Sequence, residues 1–556
     1  MPSNDPTPKA DRLIVWVFLC SALVLRVLFA VHLRVDSDEP QPLHIMWAWS
    51  HGLIPYRDIF DNHPSLFHVF CVPLFNLLGT RPDILIPMRL ALIPLTGIII
   101  WCVWRISASL FSRRVALWTT AFATFFPPFF ISSVEFRADQ LWTAVWLLLL
   151  MVLVTGRLTT KRAFVVGLLL GLAFSVSLKT TLLAASLGMA CIGILLSKWY
   201  AKQPIETAHL AKYLSTAIAG LLIVPVLVVL FFLSQHAGAP MWYCLVTYNI
   251  LIKSVTPGPS TFHCLMRWIV LLPIEVAGVW AIWKWQRPAF SRLSLIFLTG
   301  TFSYTTLLAF WPLREGQTFL PIFSVLAISV APVVLRSAGF ISARIRLPLI
   351  IMPAAIVMIE IILTCLRQSP FTDRTSQNTQ FIRDVLNLTA ESDYVMDSKG
   401  EAIFRRRPYY FMIDKITKEM IDRGLVHDDI PHRLIETRTP LITTDPKLPK
   451  CDAAFLESNY LPIAPRLAVL GKMVRRENEG SAEPIRFDVT VPGRYALVST
   501  AGKITGVLDD TELTEARELA AGLHTFRPTS GAGPVALVWT PAVERGYSPF
   551  AISNSD

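Results

Sequence analysis

Apolar runs of membrane-spanning length recur from residue 12 to residue 366, and none follows. The hydrocarbon core of a bilayer is about 30 Å thick, so each helix needs roughly 20 apolar residues. Candidate spans are 13–33, 84–104, 115–134, 140–156, 163–179, 181–197, 213–234, 265–284, 293–311, 318–335 and 347–366. Runs of that length satisfy their backbone amides internally only as helices. The chain's 556 residues are 53% hydrophobic and 16% charged, against about 25% charged for a soluble protein. Residues 367–556 read as ordinary soluble sequence. The expected fold is a polytopic α-helical membrane protein of about 11 transmembrane helices with a C-terminal soluble α/β plus β-sandwich region. Expected domains are 1–366 in the membrane, 367–475 mixed α/β and 476–556 β-sandwich-like.

The net charge is +11, and its arrangement excludes nucleic acid as a partner. Basic residues sit in short clusters between apolar runs: Lys9 and Arg12; Arg105, Arg113 and Arg114; Arg157, Lys161 and Arg162; Lys198, Lys202 and Lys212; Lys284, Arg287 and Arg292; Arg336, Arg344 and Arg346. These alternate connections are cytoplasmic by the positive-inside rule. An odd span count then leaves the N-terminus cytoplasmic and the C-terminal region external. The first apolar run contains Arg26 and lacks a small-x-small cleavage site, so it reads as an uncleaved anchor in the cytoplasmic membrane. Arg26 itself reads as an intrabundle or snorkelling residue, with a contact near the active site as the sharper reading. Only Cys451 of the eight cysteines lies in the soluble region, which excludes a disulfide framework there.

On this topology, the polar groups that orientation does not explain share the external side. They are the loop 34–82, with Asp36, Asp38, Glu39, Arg57, Asp58, Asp61 and His63; the turn Glu135-Phe136-Arg137-Ala138-Asp139; Lys179; and Arg314. Ionisable groups at a membrane face are costly and usually functional. Residues 65–79 are too short to span and read as a helix in the outer interface, as do 41–51 with Trp47 and Trp49. Asp36, His44 and His51 read as loop or interfacial surface.

The order Asp38-Glu39, Gly52, Pro55-Tyr56-Arg57-Asp58, His63-Pro64-Ser65-Leu66 resembles the first external loop of GT-C glycosyltransferases. The likeness is to the protein O-mannosyltransferase and aminoarabinose transferase type. Arg89-Leu90 opening a span, the Arg137-x-Asp139 turn, Gly167 to Lys179, and Arg314 to Pro321 continue it. Ser65 stands where that family has a second Pro, and His63 holds the basic position. The resemblance implies inverting transfer of a sugar from a polyprenyl-phosphate donor to a glycan, lipid or protein acceptor at the outer membrane face. It implies Asp38 as general base with Glu39 beside it, Arg137, Lys179 and Arg314 on the donor phosphate, and Arg57, Asp58, His63 and Asp139 as substrate or loop contacts. A divalent metal on Glu39 and His63 is the one cofactor expected, though no HExxH-like spacing supports it. A polyprenyl-lipid transporter or flippase is the alternative reading. The chain shows no repeated halves of the kind transporters carry.

Overall fold

A computed structural model of the chain describes residues 9–200, 202, 207–256, 290–313, 315–444, 448–475, 484–500, 502–513, 515–529 and 533–550. The chain divides into two compact units. One comprises Met1–Glu39, Asn62–Leu74 and Leu85–Ser376; the other comprises Pro40–Asp61, Phe75–Ile84 and Gln377–Asp556. The expected external loop 34–82 is therefore shared between the two.

The first unit is helical. Among the described residues six helices are long and apolar enough to cross a bilayer: Lys9–His32, Leu85–Leu110, Thr180–Tyr200, Ala208–Ser234, Arg292–Phe310 and Gly316–Arg344. The expected span 265–284 lies outside the described residues. Lys9–His32 buries Val15, Phe18, Ala22 and Phe29, a stripe at helical spacing. That stripe packs on Trp118, Phe122, Phe125 and Phe130, while Leu13, Trp16, Val17 and Leu23 stay exposed on the other side. Arg26 falls within the buried stripe. Its Nη1 donates to Ser133 Oγ at 2.7 Å, and its guanidinium lies 4.5 Å from the Phe130 ring. The intrabundle reading of this residue holds.

Local chemistry sets the helix ends. Ser112 caps Arg113–Phe125, its hydroxyl accepting from the Val115 amide. Pro127 and Pro128 cannot continue that helix, so it stops at Phe126 and restarts as Pro127–Ser132. The expected span 115–134 is thus two helices. Thr159 caps Thr160–Val176, and the break at Ser177–Lys179 separates it from Thr180–Tyr200. Thr160–Val176 packs closely on Thr207–Ser234 through glycine. A Cβ on Gly167 would lie 1.9 Å from the Ala217 carbonyl oxygen, and one on Gly171 would lie 2.4 Å from that of Leu221. Leu66–Leu78 is 13 residues long, about 20 Å at 1.5 Å per residue, and exposes Val69, Phe70 and Leu77. These features suit an interfacial helix.

The second unit is mixed. Its helix Pro40–Ser50 is packed into protein rather than lying on its surface: Leu43, His44, Ile45, Met46 and Trp47 are all buried. Gly400, at φ +78°, leaves only 2.6 Å between its would-be Cβ and that of His44, a position open to glycine alone. His44 donates to the Ile403 carbonyl at 2.9 Å, and burial pushes its imidazole down to about 4, so it is neutral. This corrects the surface reading of His44. The strand Leu467–Arg475 organises the larger sheet. Its first half pairs with Leu441–Thr443 and Tyr460–Ala464, and its second half with Val535–Trp539. Val395–Met396 extends one edge in parallel, and Gly493–Ser499 then Ala516–Leu519 extend the other. This sheet joins strands on both sides of residue 475. A second sheet runs in the order Ile485–Val489, Gly522–Pro528, Gly506–Leu508, Thr511–Leu513. Ile485, Phe487 and Val489 are buried and alternate with exposed Arg486 and Asp488, as a strand with one covered face requires.

Candidate active site

The site is built on a fully buried ion pair in the helical unit. Glu39 Oε1 accepts from Arg89 Nε at 2.7 Å and from the Phe136 amide at 2.7 Å. Glu39 Oε2 accepts from Arg89 Nη2 and from the Asp36 amide at 2.8 Å. Those four donors fill a carboxylate's lone-pair directions. Arg89 also donates to the Leu33 carbonyl at 2.9 Å and the Arg34 carbonyl at 3.0 Å. One pair therefore ties the end of the first helix, the acidic loop and the 134–137 turn to the helix Leu85–Ala91.

The chemistry-bearing groups hang from this frame. Arg137 Nη1 lies 2.9 Å from Asp36 and 2.7 Å from Asp38. Its Nε is 3.5 Å from Asp139 and its Nη2 is 3.5 Å from Glu315. Lys179 donates to Asp139 at 2.7 Å and sits 5.6 Å from the Trp142 ring and 5.9 Å from the Trp311 ring. The four acids around Arg137 hold its guanidinium proton well above the ordinary arginine range, against the opposing pull of burial. Glu135 is buried beside them and takes a hydrogen bond from Gln317. Burial, then repulsion from Glu39 and Asp36, pushes the Glu135 carboxyl up to about 8. Burial also raises Glu315.

Of the residues singled out by sequence, Asp38, Arg137, Asp139 and Lys179 come together here. His63 belongs to the same unit and acts electrostatically on Asp139. Arg57 and Asp58 belong to the other unit, where they pair with each other at 2.8 Å. Arg314 lies outside the described residues. Glu39 is turned to Arg89, which leaves no lone pair directed at an ion. Among the described residues, the group of three ligating side chains within coordination reach is Asp428, Cys451 and Asp452, without Glu39 or His63. Asp36 is not loop surface, since it accepts from Arg137 and from the Asp38 amide. Sequence reasoning missed the roles of Arg89, Glu135, Gln317 and Glu315. The usable signal was proximity: Glu135 stands two residues before Arg137, and Glu315 follows Arg314.

Residues 62–229 match the family model described as dolichyl-phosphate-mannose-protein mannosyltransferase. The structure is similar to that of ArnT from Cupriavidus metallidurans in the apo state, with a TM-score of 0.59 and 13% identity, covering 83% of this chain and 98% of that one. The chain has the GT-C fold. The structure of the same ArnT bound to undecaprenyl phosphate gives a TM-score of 0.55 at 16% identity, covering 82% of this chain and 97% of that one. No curated protein matches by sequence.

Proposed function

We propose that this GT-C protein is a lipid-dependent glycosyltransferase, moving a sugar from a polyprenyl-phosphate carrier to an acceptor hydroxyl. The acceptor is a glycan, lipid or protein at the outer face of the cytoplasmic membrane. The observation that carries this reading is the convergence of Asp36, Asp38, Asp139 and Glu315 on Arg137, beside Lys179. The likeness to an ArnT solved with undecaprenyl phosphate, and to a mannosyltransferase family model, supports the donor class.

An acceptor hydroxyl is a weak nucleophile and needs a base within hydrogen-bond reach. Asp38 fills that role, and Glu39 positions it through Arg89 and the Asp36 amide. The leaving phosphate gains charge as the glycosidic bond breaks, and fixed cations stabilise that charge. Arg137 offers a planar fork, Lys179 a point charge, and Arg314 belongs to the same set. A phosphate entering beside Arg137 competes with Asp38 for the guanidinium. Donor binding thereby frees the base when the acceptor is to be activated. Direct attack without a covalent intermediate inverts the anomeric carbon.

The test is a kinetic comparison with labelled donor lipids. Arg137→Ala and Lys179→Ala should weaken donor use by about 10- to 150-fold, the cost of roughly 1.5–3 kcal/mol for a charge-assisted contact, while acceptor dependence changes little. Wild-type donor use in both variants removes them from the phosphate site.

A further inference from the structure

The C-terminal unit carries a group of ligating side chains that sugar transfer does not use. Asp428 lies between the helices Lys415–Asp422 and Ile430–Glu436. Cys451 and Asp452 belong to the turn Lys450–Asp452, which leads into the helix Ala453–Asn459. One ligand atom from each of the three residues lies within 4.8 Å of the other two. The Cys451 thiol donates to Asp428 Oδ2 at 3.0 Å, and the Ile430 amide donates to Asp428 Oδ1 at 3.2 Å. That carboxylate is thus oriented from its far side.

Asp452 supplies the independent observation. Its residue is 3% exposed, and its Oδ2 has no hydrogen-bond partner. It stands at the N-cap of Ala453–Asn459 yet makes no capping bond. A buried carboxylate oxygen without a donor is costly, and the Asp428 carboxylate close by adds repulsion. A cation bound between them removes both costs.

We propose that Asp428, Cys451 and Asp452 form a binding site for a divalent cation of the zinc type. One sulfur with two carboxylate oxygens selects a borderline-soft metal over calcium or magnesium, which take oxygen sets. On binding, the metal takes the Cys451 sulfur and an oxygen from each aspartate. The thiol proton leaves to solvent, which reaches exposed Cys451. Water completes the coordination. The bound metal fastens the Asp428 loop to the Lys450–Asp452 turn, which the chain separates by the helix Ile430–Glu436 and the strand Leu441–Thr443. None of the residues around Arg137 takes part, so this site stands apart from the sugar-transfer reading.

The test uses the full-length protein in detergent, stripped with chelator and dialysed against zinc or cobalt. Wild type should retain one zinc. With cobalt it should show the thiolate-to-metal absorption that sulfur ligation produces. Cys451→Ser should lose that absorption, and Asp452→Asn should lose the bound zinc. Zinc should also slow maleimide labelling of the Cys451 peptide in wild type, a readout that needs no variant. Wild-type protein without the thiolate absorption overturns the proposal, as do unprotected Cys451 at saturating zinc or variants that hold zinc as tightly as wild type.

Discussion

At the scale of single residues, the frame of the site rests on Glu39 and Arg89, whose side chains are both fully buried. Breaking a buried pair leaves one charge stranded, at a cost of about 3–5 kcal/mol. Arg89→Ala and Glu39→Ala should each lower thermal stability in detergent steeply, and Glu39→Leu with Arg89→Met should recover much of the loss. Singles that melt with wild type would mean the pair does not hold the frame. Glu135 gives a pH signature of its own. Its carboxyl stays protonated in the fold up to about 8, whereas the unfolded chain ionises near 4.5. Between those values the folded state binds the extra proton, so stability falls as pH rises and levels off above about 8. Glu135→Gln should flatten that decline, read as melting temperature against pH. An unchanged slope in the variant would show that Glu135 does not carry it. Which charged groups belong to the candidate site was half legible. Asp38, Arg137, Asp139 and Lys179 are polar residues out of place in an apolar sequence. Asp36 looks the same as any loop aspartate until Arg137, a hundred residues on, is seen beside it.

At the scale of elements, most helix positions follow from the apolar runs, and the deviations have named causes. Pro127 divides one expected span, and the Ser177–Lys179 break separates the pair whose boundary Lys179 obscured. The strands Tyr460–Ala464 and Leu467–Arg475 escaped detection. Their two-residue connection is Pro465-Arg466, with Arg466 at φ +71°, so the Asn-Gly or Asp-Gly signal of a tight hairpin is missing. Helix Pro40–Ser50 misled for a different reason. Its two tryptophans suit a membrane interface, yet Trp47 is buried in protein and packs between His44 and His51, with centroids at 5.8 and 4.8 Å. The contact between Thr160–Val176 and Thr207–Ser234 rests on absent side chains. Gly167→Leu should force those helices apart and lower the melting temperature. Gly188→Ala, whose Cβ would meet nothing within 4 Å, should raise stability by about 0.5–1 kcal/mol, the helix preference for alanine over glycine. Equal melting of the two variants would contradict the close-packing account.

At the scale of the whole molecule, the apolar runs and the soluble tail declared a membrane protein with a C-terminal region containing sheet. The fold shared with ArnT was legible because the polar residues that interrupt those runs carry the resemblance. The division into two units was not. Residues 40–61 and 75–84 join the C-terminal unit through packing, and nothing in their composition distinguishes them from the flanking loop. The Glu39–Arg89 pair was equally hidden, because spacing along the chain cannot report which buried charges meet. Beside Arg137, the proposed role of Asp38 is to take the acceptor's proton while the cations hold the donor phosphate. It is tested by incubating purified protein with labelled polyprenyl-phosphate sugars and membrane-extract acceptors, comparing wild type, Asp38→Asn and, as control, Asp83→Asn, a carboxylate of the other unit paired with Arg81 at 2.6 Å. That role predicts sugar transfer by wild type and Asp83→Asn, whereas Asp38→Asn binds donor normally but transfers about 10²–10⁴-fold more slowly, the contribution of a general base. Full-rate transfer by Asp38→Asn, or donor lipid moved across vesicles by wild type with its sugar still attached, would contradict it.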